Sequence, residues 1–336
     1  MQNQSNTLQS GKRFPITATL FSAAVFFIGF WAGLQVARDR GFPFWAVRQT
    51  PWSIGIYGGN SPFKFGPLPG VKNPVLSAKD VTDVPALFVA DPFLIKKGDT
   101  WYLFFEVMNR KTSQGDIGVA TSKDLRKWTY QRIVLDEPFH LSYPHVFEWK
   151  GEYYMIPETA DSNSVRLYKA KQFPFGWSLV ATLLKGVDYE DPTLVFHQGY
   201  WWLFVTPQWD QDTLLLFYSK RLTGPWLQHP ESPVVSYDGH HARSAGRVIE
   251  FQDHLIRYTQ DDIPTYGNQV HAFEIVELTP TRYREKESKQ NPVVKHGGSG
   301  WNVTRMHQVD AHRVGENQWI ASVDGYGTYW EFDLRD

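Results

Sequence analysis

The chain has 336 residues, a formal net charge of −1 and no cysteine. The near-neutral charge argues against a nucleic-acid-binding protein, and the lack of cysteine excludes disulfides, cysteine–metal sites and a cysteine nucleophile. Aromatic residues make up 16% of the sequence, with 14 tryptophans, which suits a sheet core and a sugar-binding surface equally well. This length is sufficient for one large all-β domain.

A long uncharged segment, residues 14–37, follows a polar stretch over residues 1–13. The segment is long enough to span a bilayer. A cleaved signal peptide is the alternative, but its best small-residue site, ending at Ala37, has an unfavourable Gln35 two positions earlier. We therefore expect a disordered tail over 1–13, a retained single-pass transmembrane helix over 14–37, and an extracytoplasmic or lumenal location for the rest of the chain.

A β-hairpin pattern begins at Asp91 and ends at Glu106. A short apolar run, a turn that contains Gly98 and an aromatic return strand lie between these two acids. Residues equidistant from the turn of an antiparallel hairpin lie opposite each other. The spacing therefore predicts that Asp91 and Glu106 meet at one rim of the hairpin.

The hairpin pattern recurs along the chain. An aromatic pair lies nine residues after each of Pro92, Pro144 and Pro192, and weaker copies begin near Ala245 and Gln308. The copies are about 50 residues apart, and the first three contain further strand material, which makes four short strands per copy. Trp128, Trp177 and Trp226 are evenly spaced in these three copies and are expected to pack between blades. Such a period is typical of β-propellers.

These features together predict an all-β fold, a five-bladed β-propeller with an N-terminal single transmembrane helix. We expect the propeller over residues 76–336 and a linker over residues 38–75. Within the linker, Trp52–Tyr57 is a candidate strand for closing the last blade of the ring.

Equivalent strand ends of a propeller converge at one mouth of its central channel. The predicted inner ring comprises Asp91, Tyr143, Asp191, Ala245 and a residue near Gln308. The predicted outer ring comprises Glu106, Glu158, Thr206, Gln260 and either Val323 or Asp324. The sequence therefore predicts a polar, acid-rich pocket at one mouth, and this pocket is the candidate functional site.

Two carboxylates act as acid and base when their surroundings push their pKa values apart. The candidate catalytic residues are Asp91, Asp191, Glu106 and Glu158. Asp91 has a structural alternative, since Asp before Pro often caps backbone N–H groups. The candidate substrate-binding residues are His145, Glu190, Arg243, Arg247, Gln260, Asp261, Tyr266, Arg305 and His307. Arg243 and Arg247 are expected to hold acids ionised or to bind an anionic ligand group, and Arg243 has an inter-blade salt bridge as its alternative. We expect no metal ion and no cofactor.

The Asp-Pro starts followed by Gly-x-x-Trp/Tyr-Tyr-Leu resemble the five-bladed propeller glycosidases of glycoside hydrolase family 43. In that family, an Asp of the first blade is the general base, an Asp of the third blade tunes the pKa, and a later Glu is the general acid. The resemblance implies the first two roles for Asp91 and Asp191. The sequence Arg243-Ser-Ala-Gly246 stands where the family carries its acidic Glu-Gly-Pro, so Glu106 or Glu158 is the candidate acid.

A longer run of motifs covers almost everything after the predicted membrane segment. In chain order, the motifs are Ala90–Phe93, Phe105–Glu106, Gln114–Ala120, Leu135–Pro144, Met155–Glu158, Arg243–Arg247, Arg257–Asp261, Tyr266–Gly267 and Val323–Gly325. Together they resemble the N-terminal propeller domain of plant glucosamine inositolphosphorylceramide transferases. Because the transferase chemistry of those enzymes is assigned to a separate C-terminal domain, the resemblance implies a carbohydrate or glycolipid setting without a settled reaction.

Two functional hypotheses follow. The first is a membrane-anchored, carbohydrate-active protein, glycosidase-like or associated with glycosyl transfer, that acts on a glycan or a glycolipid headgroup. The second is a non-catalytic glycan-binding or scaffold module that serves a separate glycosyltransferase. The acid ring favours the first hypothesis, and the missing Glu-Gly-Pro acid favours the second.

Overall fold

The computed structural model describes residues 29–31, 33, 46–49, 51–327 and 329–332. The chain divides into two compact units, residues 50–328 and a smaller unit of residues 1–49 with 329–336. No helix among the described residues is long and apolar enough to cross a membrane. The predicted disordered tail lies outside the described residues, as does the predicted transmembrane helix except for residues 29–31 and 33, so both stay predictions.

The described strands, in chain order, are β1 (Ala46–Gln49), β2 (Trp52–Ser61), β3 (Lys64–Pro67), β4 (Ala86–Lys97), β5 (Thr100–Asn109), β6 (Gln114–Ser122), β7 (Thr129–Leu135), β8 (Ser142–Trp149), β9 (Glu152–Glu158), β10 (Ser164–Gln172), β11 (Phe175–Lys185), β12 (Tyr189–His197), β13 (Tyr200–Pro207), β14 (Leu215–Ser219), β15 (Leu227–Gln228), β16 (Ile249–Phe251), β17 (His254–Asp261), β18 (Gln269–Thr279), β19 (Arg282–Glu287), β20 (Val294–Lys295), β21 (Val309–Gly315), β22 (Gln318–Tyr326) and β23 (Tyr329–Phe332). Three short 3-10 helices span Ala78–Asp80, Ala160–Ser162 and Gly300–Asn302. In the smaller unit, β1 pairs antiparallel with β23.

Five sheets form the larger unit, which confirms the predicted five-bladed propeller. Blades one to three take their strands in order, β4 to β7, β8 to β11 and β12 to β15. Blade four is β16 to β19, with β20 paired to β18, and blade five is β21-β22-β2-β3. Strand β2 therefore closes the last blade, so residues 52–67 contribute two strands to the propeller rather than a linker.

The first two strands of a blade form a hairpin whose open end lies at the mouth of the channel. In blade one, β4 and β5 are joined by the two residues Gly98 and Asp99, and Gly98 has a φ of 58°. The register pairs Ala90, rather than Asp91, with Glu106 and shifts before Phe93. The assumption that Asp91 lies directly opposite Glu106 is therefore wrong, because a bulge at Asp91 and Pro92 interrupts the ladder. The two acids nevertheless lie near each other at this rim, where the charge of Asp91 acts on Glu106.

This bulge recurs at the start of other blades. Asp91, Tyr143 and Asp191 have φ values of 50°, 45° and 45°, and the register shifts at the same place in each of the three hairpins. A bulge re-aims the side chain that it carries. The repeat thus turns one residue per blade toward the channel mouth.

Apolar side chains fill the interfaces between neighbouring blades. Each of the five core clusters combines residues from two adjacent blades. Trp128, Trp177 and Trp226 lie in three different clusters of this kind, as their even spacing predicted. Burying one large apolar side chain contributes about 1.5–3 kcal/mol, so these interfaces stabilise the ring.

Charged and aromatic side chains occupy the channel beneath the mouth. Arg247 of blade four pairs with Asp310 of blade five and donates to the carbonyl oxygens of Leu94 in blade one at 3.0 Å and Val146 in blade two at 3.3 Å. The Tyr143 hydroxyl donates to the Gly246 carbonyl at 3.1 Å. These contacts join blades across the axis and close the floor of the mouth.

Candidate functional site

Buried carboxyl groups surround the mouth, and five of them come from the predicted rings or lie beside them. Asp91, Glu106, Glu158, Asp191 and Asp324 have exposed fractions of 8%, 5%, 8%, 2% and 0%. Asp91 and Asp191 come from bulges at the start of first strands, whereas the other three come from the ends of second strands. The predicted convergence of these strand ends therefore produces a compact cluster of acids, called here the acid pocket.

His307 joins two of these acids. Its Nδ1 lies 2.7 Å from a carboxylate oxygen of Asp324 and 3.8 Å from one of Asp91. The Asp91 N–H donates to Asp324 at 3.2 Å, and the Tyr143 N–H donates to Asp91 at 3.2 Å. The imidazole also stacks on Trp52, with ring centroids 4.0 Å apart. Packing and hydrogen bonds from residues of three blades thus hold His307, Asp91 and Asp324 in place.

The pKa values of His307 and Asp91 depart from the ordinary values of these side chains. Burial alone would lower the pKa of His307, but the carboxylates of Asp324 and Asp91 outweigh it and raise the pKa to about 9. Burial raises the pKa of Asp91 to about 7, with the positive charge of His307 opposing the shift. With these pKa values, His307 is cationic near neutral pH and Asp91 is divided between its protonated and ionised forms.

Glu106 and Glu158 also hold their protons tightly. Burial raises the pKa of Glu106 well above its ordinary value, and the negative charge of Asp91 adds to the shift. Burial and the charge of Asp191 do the same for Glu158. The Glu158 carboxyl also accepts a hydrogen bond from the Asp191 N–H at 3.0 Å. Both glutamic acids therefore favour their protonated forms more strongly than an exposed glutamic acid does.

Arg243 organises the opposite side of the mouth. Its Nε lies 2.5 Å from Asp191 Oδ2, and its Nη1 lies 3.1 Å from Glu190 Oε2. The Gln260 amide donates to Asp191 at 2.8 Å. The guanidinium also sits over the Tyr266 ring, 5.2 Å from its centroid. The structure thus brings these five predicted residues together at the mouth.

Three other predicted residues, His145, Arg247 and Arg305, have different contacts. His145 and Arg247 are beneath the mouth, where His145 Nδ1 accepts from the Leu194 N–H at 3.3 Å. Burial and the charge of Arg247 lower the pKa of His145 to about 3, so His145 is a neutral acceptor in the channel. The Arg305 guanidinium lies over the Tyr326 ring, 5.2 Å from the ring centroid.

Asp261 is directed away from the pocket. Successive residues of a strand point to opposite faces, so Gln260 faces Asp191 while Asp261 faces the other side of β17. There, Asp261 contacts His240 Nδ1 at 2.7 Å and the Gln269 amide at 2.7 Å. Asp261 therefore bonds the loop that carries His240 rather than facing Asp191.

Sequence reasoning missed two polar residues at this face, His140 and Asp262, and left a third, Asp324, undecided. Asp324 was one of two options for the last position of the outer ring. Alignment of the last hairpin on the position of Glu106 favoured it, as did the Val323-Asp-Gly325 motif. His140 Nε2 lies 3.6 Å from Glu106, and Asp262 accepts from the Gly267 N–H at 2.6 Å. No sequence periodicity marks the last two, because both lie in loops.

Among the described residues, the geometry for a metal ion is found at Asp91, His307 and Asp324. One donor atom of each lies within 4.8 Å of the others, and all three residues are buried. A metal ion needs a neutral imidazole, whereas His307 has a raised pKa of about 9. A cation would therefore compete with the proton that this group holds.

The fold and the site define a class of protein, a five-bladed β-propeller with an acid-rich pocket at one mouth of its channel. A family model described as glucosamine inositolphosphorylceramide transferase 1, N-terminal, matches residues 47–326, and the chain belongs to this family. This match confirms the resemblance recognised in the sequence motifs.

Curated relatives carry the same name. The Oryza sativa subsp. japonica protein glucosamine inositolphosphorylceramide transferase 1 is 35% identical over 337 residues, which cover 93% of this chain and 45% of the relative. The Arabidopsis thaliana protein of the same name is 36% identical over 301 residues, covering 82% of this chain and 39% of the relative. The chain thus spans less than half the length of these relatives.

Solved structures share the fold. An exo-β-1,3-galactanase from Clostridium thermocellum has a TM-score of 0.52 at 19% identity, covering 63% of this chain and 51% of its own. A family 117 glycoside hydrolase from Zobellia galactanivorans has a TM-score of 0.51 at 14% identity, covering 86% of this chain and 94% of its own. A GH62 α-L-arabinofuranosidase domain from Coprinopsis cinerea has a TM-score of 0.53 at 11% identity, covering 83% of this chain and 97% of its own. At these identities, the similarity establishes the fold alone.

Proposed function

We propose that the mouth pocket binds a glycan or glycolipid headgroup and performs acid–base chemistry on it. The observation that carries this proposal is the cluster of Asp91, Glu106 and Glu158, three buried carboxyl groups with raised pKa values in one pocket. Strongly perturbed carboxyl groups concentrate at functional sites. A pKa of about 7 suits Asp91 for proton transfer near neutral pH.

The roles follow from the contacts. Asp91 is the proposed base, held by the Tyr143 N–H and faced by His307. Asp191 is the proposed tuning residue, since Arg243 and Gln260 fix its carboxylate while its charge raises the pKa of Glu158. Glu106 or Glu158 is the proposed acid, because each keeps its proton through burial.

The family supports a glycolipid as the substrate class. The names of the rice and Arabidopsis relatives refer to glucosamine and inositolphosphorylceramide. We propose that residues 14–37 anchor the chain in a membrane by a single pass, with the propeller on the extracytoplasmic or lumenal side. A glycosyltransferase is the proposed partner, and the headgroup of a membrane lipid would then lie within reach of the mouth.

A non-catalytic glycan-binding module is the second candidate. It is favoured by the stretch Arg243-Ser-Ala-Gly246, which has no acid where the resembling glycosidases carry Glu-Gly-Pro. It is also favoured by the pairing of Arg243 with both Glu190 and Asp191. A module of this kind would present the headgroup to the partner transferase. Its pocket would bind sugar without changing it.

A binding and turnover screen separates the two functions. The full chain in detergent is incubated with a panel of glycans and glycolipid headgroups, and both bound ligand and released product are measured. Turnover that disappears in Asp91→Asn supports the enzyme. Binding without turnover, retained in the variant, supports the module, and neither binding nor turnover would contradict both.

A further inference from the structure

Three loops at the mouth expose large apolar side chains to solvent. Trp209 is 70% exposed, Tyr237 is 89% exposed and Ile263 is 46% exposed. The loops that carry them follow β13, β15 and β17, strands that run toward the mouth. All three therefore stand on the same face of the propeller as the acid pocket.

Hydrogen bonds tie these loops to one another. The Asp238 N–H donates to the Asp212 carbonyl at 3.0 Å, which joins the Tyr237 loop to the Trp209 loop. The Asp262 N–H donates to the Gly239 carbonyl at 2.8 Å, which joins the Ile263 loop to the same assembly. The three loops consequently form one continuous aromatic rim, defined here by residues 207–213, 236–241 and 262–267.

The aromatic rim is also attached to the pocket. The Gln211 side-chain amide donates to Glu190 Oε1 at 3.0 Å, and Glu190 contacts Arg243 at 3.1 Å. Tyr266, on the third loop, lies under the same guanidinium. A ligand that fills the acid pocket and extends outward on this side would therefore meet the rim.

Tyr237 has a backbone conformation that its own packing does not explain. Its φ is 57°, in the left-handed region that is uncommon for residues other than glycine and asparagine. Its side chain is 89% exposed, so no core contact compensates for this conformation. Strain of this kind clusters at ligand-binding positions, and here it directs an aromatic ring into solvent.

Charge decides which ligand suits the rim. The loops also carry carboxylates, with Asp212 exposed and Asp238 half-buried. Carboxylates accept hydrogen bonds from sugar hydroxyls and repel the anionic lipids of a membrane surface. Exposed tryptophan and tyrosine rings present flat apolar faces, which match the C–H face of a pyranose. The combination fits a sugar ring better than a bilayer.

We propose that Trp209 and Tyr237 form a second sugar-binding subsite beside the acid pocket. The ligand would then contain at least two sugar rings, one in the pocket and one on the aromatic rim. This inference rests on the proposed glycan binding at the mouth, which it extends from a single headgroup to an oligosaccharide.

The test uses the full chain in detergent and matched neutral glycans of one to four rings. Trp209→Ser removes one ring, and Tyr237→Asn removes the other while keeping a residue that tolerates a positive φ. Phe175→Ala is the control, since Phe175 is 38% exposed but begins β11 on the opposite face. Thermal melting confirms that each variant is folded.

Wild-type protein is expected to bind glycans of two or more rings more tightly than the matched monosaccharide. Each rim variant should lose roughly tenfold in affinity for the longer glycans, which is about 1.4 kcal/mol, and keep its affinity for the monosaccharide. Bound glycan should also protect Trp209 from iodide quenching, measured against Trp209→Ser. Phe175→Ala should behave as wild type.

Unchanged affinity of both rim variants for the longer glycans would overturn the subsite and leave the proposed function standing. Absence of any glycan binding by wild type would overturn both. Binding of wild type and the rim variants to vesicles of phosphatidylcholine, with and without phosphatidylserine, is measured as well. Vesicle binding that the rim variants lose, with glycan affinity unchanged, would assign the rim to a membrane surface and contradict the subsite.

Discussion

Arg243 and Asp191 form a buried ion pair across the mouth, with 2.5 Å between the guanidinium Nε and the carboxylate Oδ2. The same guanidinium contacts Glu190 at 3.1 Å. Together with His307, Arg243 supplies the positive charge that faces the acids of the pocket. The protonation of the remaining carboxyl groups therefore depends on these two residues.

Removal of Arg243 should destabilise the propeller. Arg243→Met leaves Asp191 and Glu190 without their cation in a buried site, and breaking a buried pair costs about 3–5 kcal/mol. Urea unfolding should show this loss of free energy of unfolding. Arg284→Met is the control, because Arg284 pairs with Glu277 at 69% side-chain exposure and should change the free energy by less than about 1 kcal/mol. Equal effects of the two variants would argue against the ion pair.

His307 should make stability depend on pH. Its pKa is raised from the ordinary value of 6.5 to about 9 in the folded state, so the folded protein holds the proton more tightly than the unfolded chain. The resulting stabilisation is complete below about pH 6.5 and is lost as pH rises through about 9. At roughly 1.4 kcal/mol per pKa unit, the loss approaches about 3 kcal/mol.

Urea unfolding of wild type and His307→Gln at pH 6, 7.5 and 9 checks this dependence. The wild type should be the more stable protein at pH 6, and its advantage over the variant should shrink toward pH 9. A constant difference across this range would show that His307 gains no proton affinity on folding.

Gly246 should not tolerate a side chain. Its φ is 142°, and a Cβ at this position would overlap the Val309 carbonyl oxygen of the neighbouring blade. We expect Gly246→Ala to lower the free energy of unfolding by at least about 2 kcal/mol, through overpacking and backbone strain. Gly66→Ala is the matched control, since no atom lies within 4 Å of its Cβ position. Melting temperatures that fall equally for both variants would contradict the steric explanation.

The repeated hairpins made the propeller predictable. Apolar and aromatic residues at fixed distances from Pro92, Pro144 and Pro192 define local strand pairs, and such pairs need only nearby sequence. The same repeat predicted which strand ends face the mouth, so Asp91 and Glu158 could be placed there without a structure.

The remaining details depend on contacts between distant residues. The Asp91 N–H bonds to Asp324, 233 positions away in the chain, and no local pattern encodes that pair. The bulge at Asp91 was also missed, because counting from the turn assumes an uninterrupted ladder. Arg243 and Arg247 are only four residues apart, yet one faces the mouth and the other locks the channel through Asp310. Sequence spacing alone does not separate those roles.

The proposed function requires the carboxyl groups at the mouth to perform acid–base chemistry on a bound glycan. The most direct measurement compares product release by wild type, Asp91→Asn and Asp253→Asn on the glycan or headgroup that the screen identifies. Asp253 is exposed in the β16–β17 turn on the opposite face, so its variant carries the same charge change away from the pocket. If Asp91 is the base, Asp91→Asn should lose roughly 100-fold or more in the rate of product release, with unchanged melting temperature, and Asp253→Asn should keep the wild-type rate. Equal product release by all three proteins would contradict it.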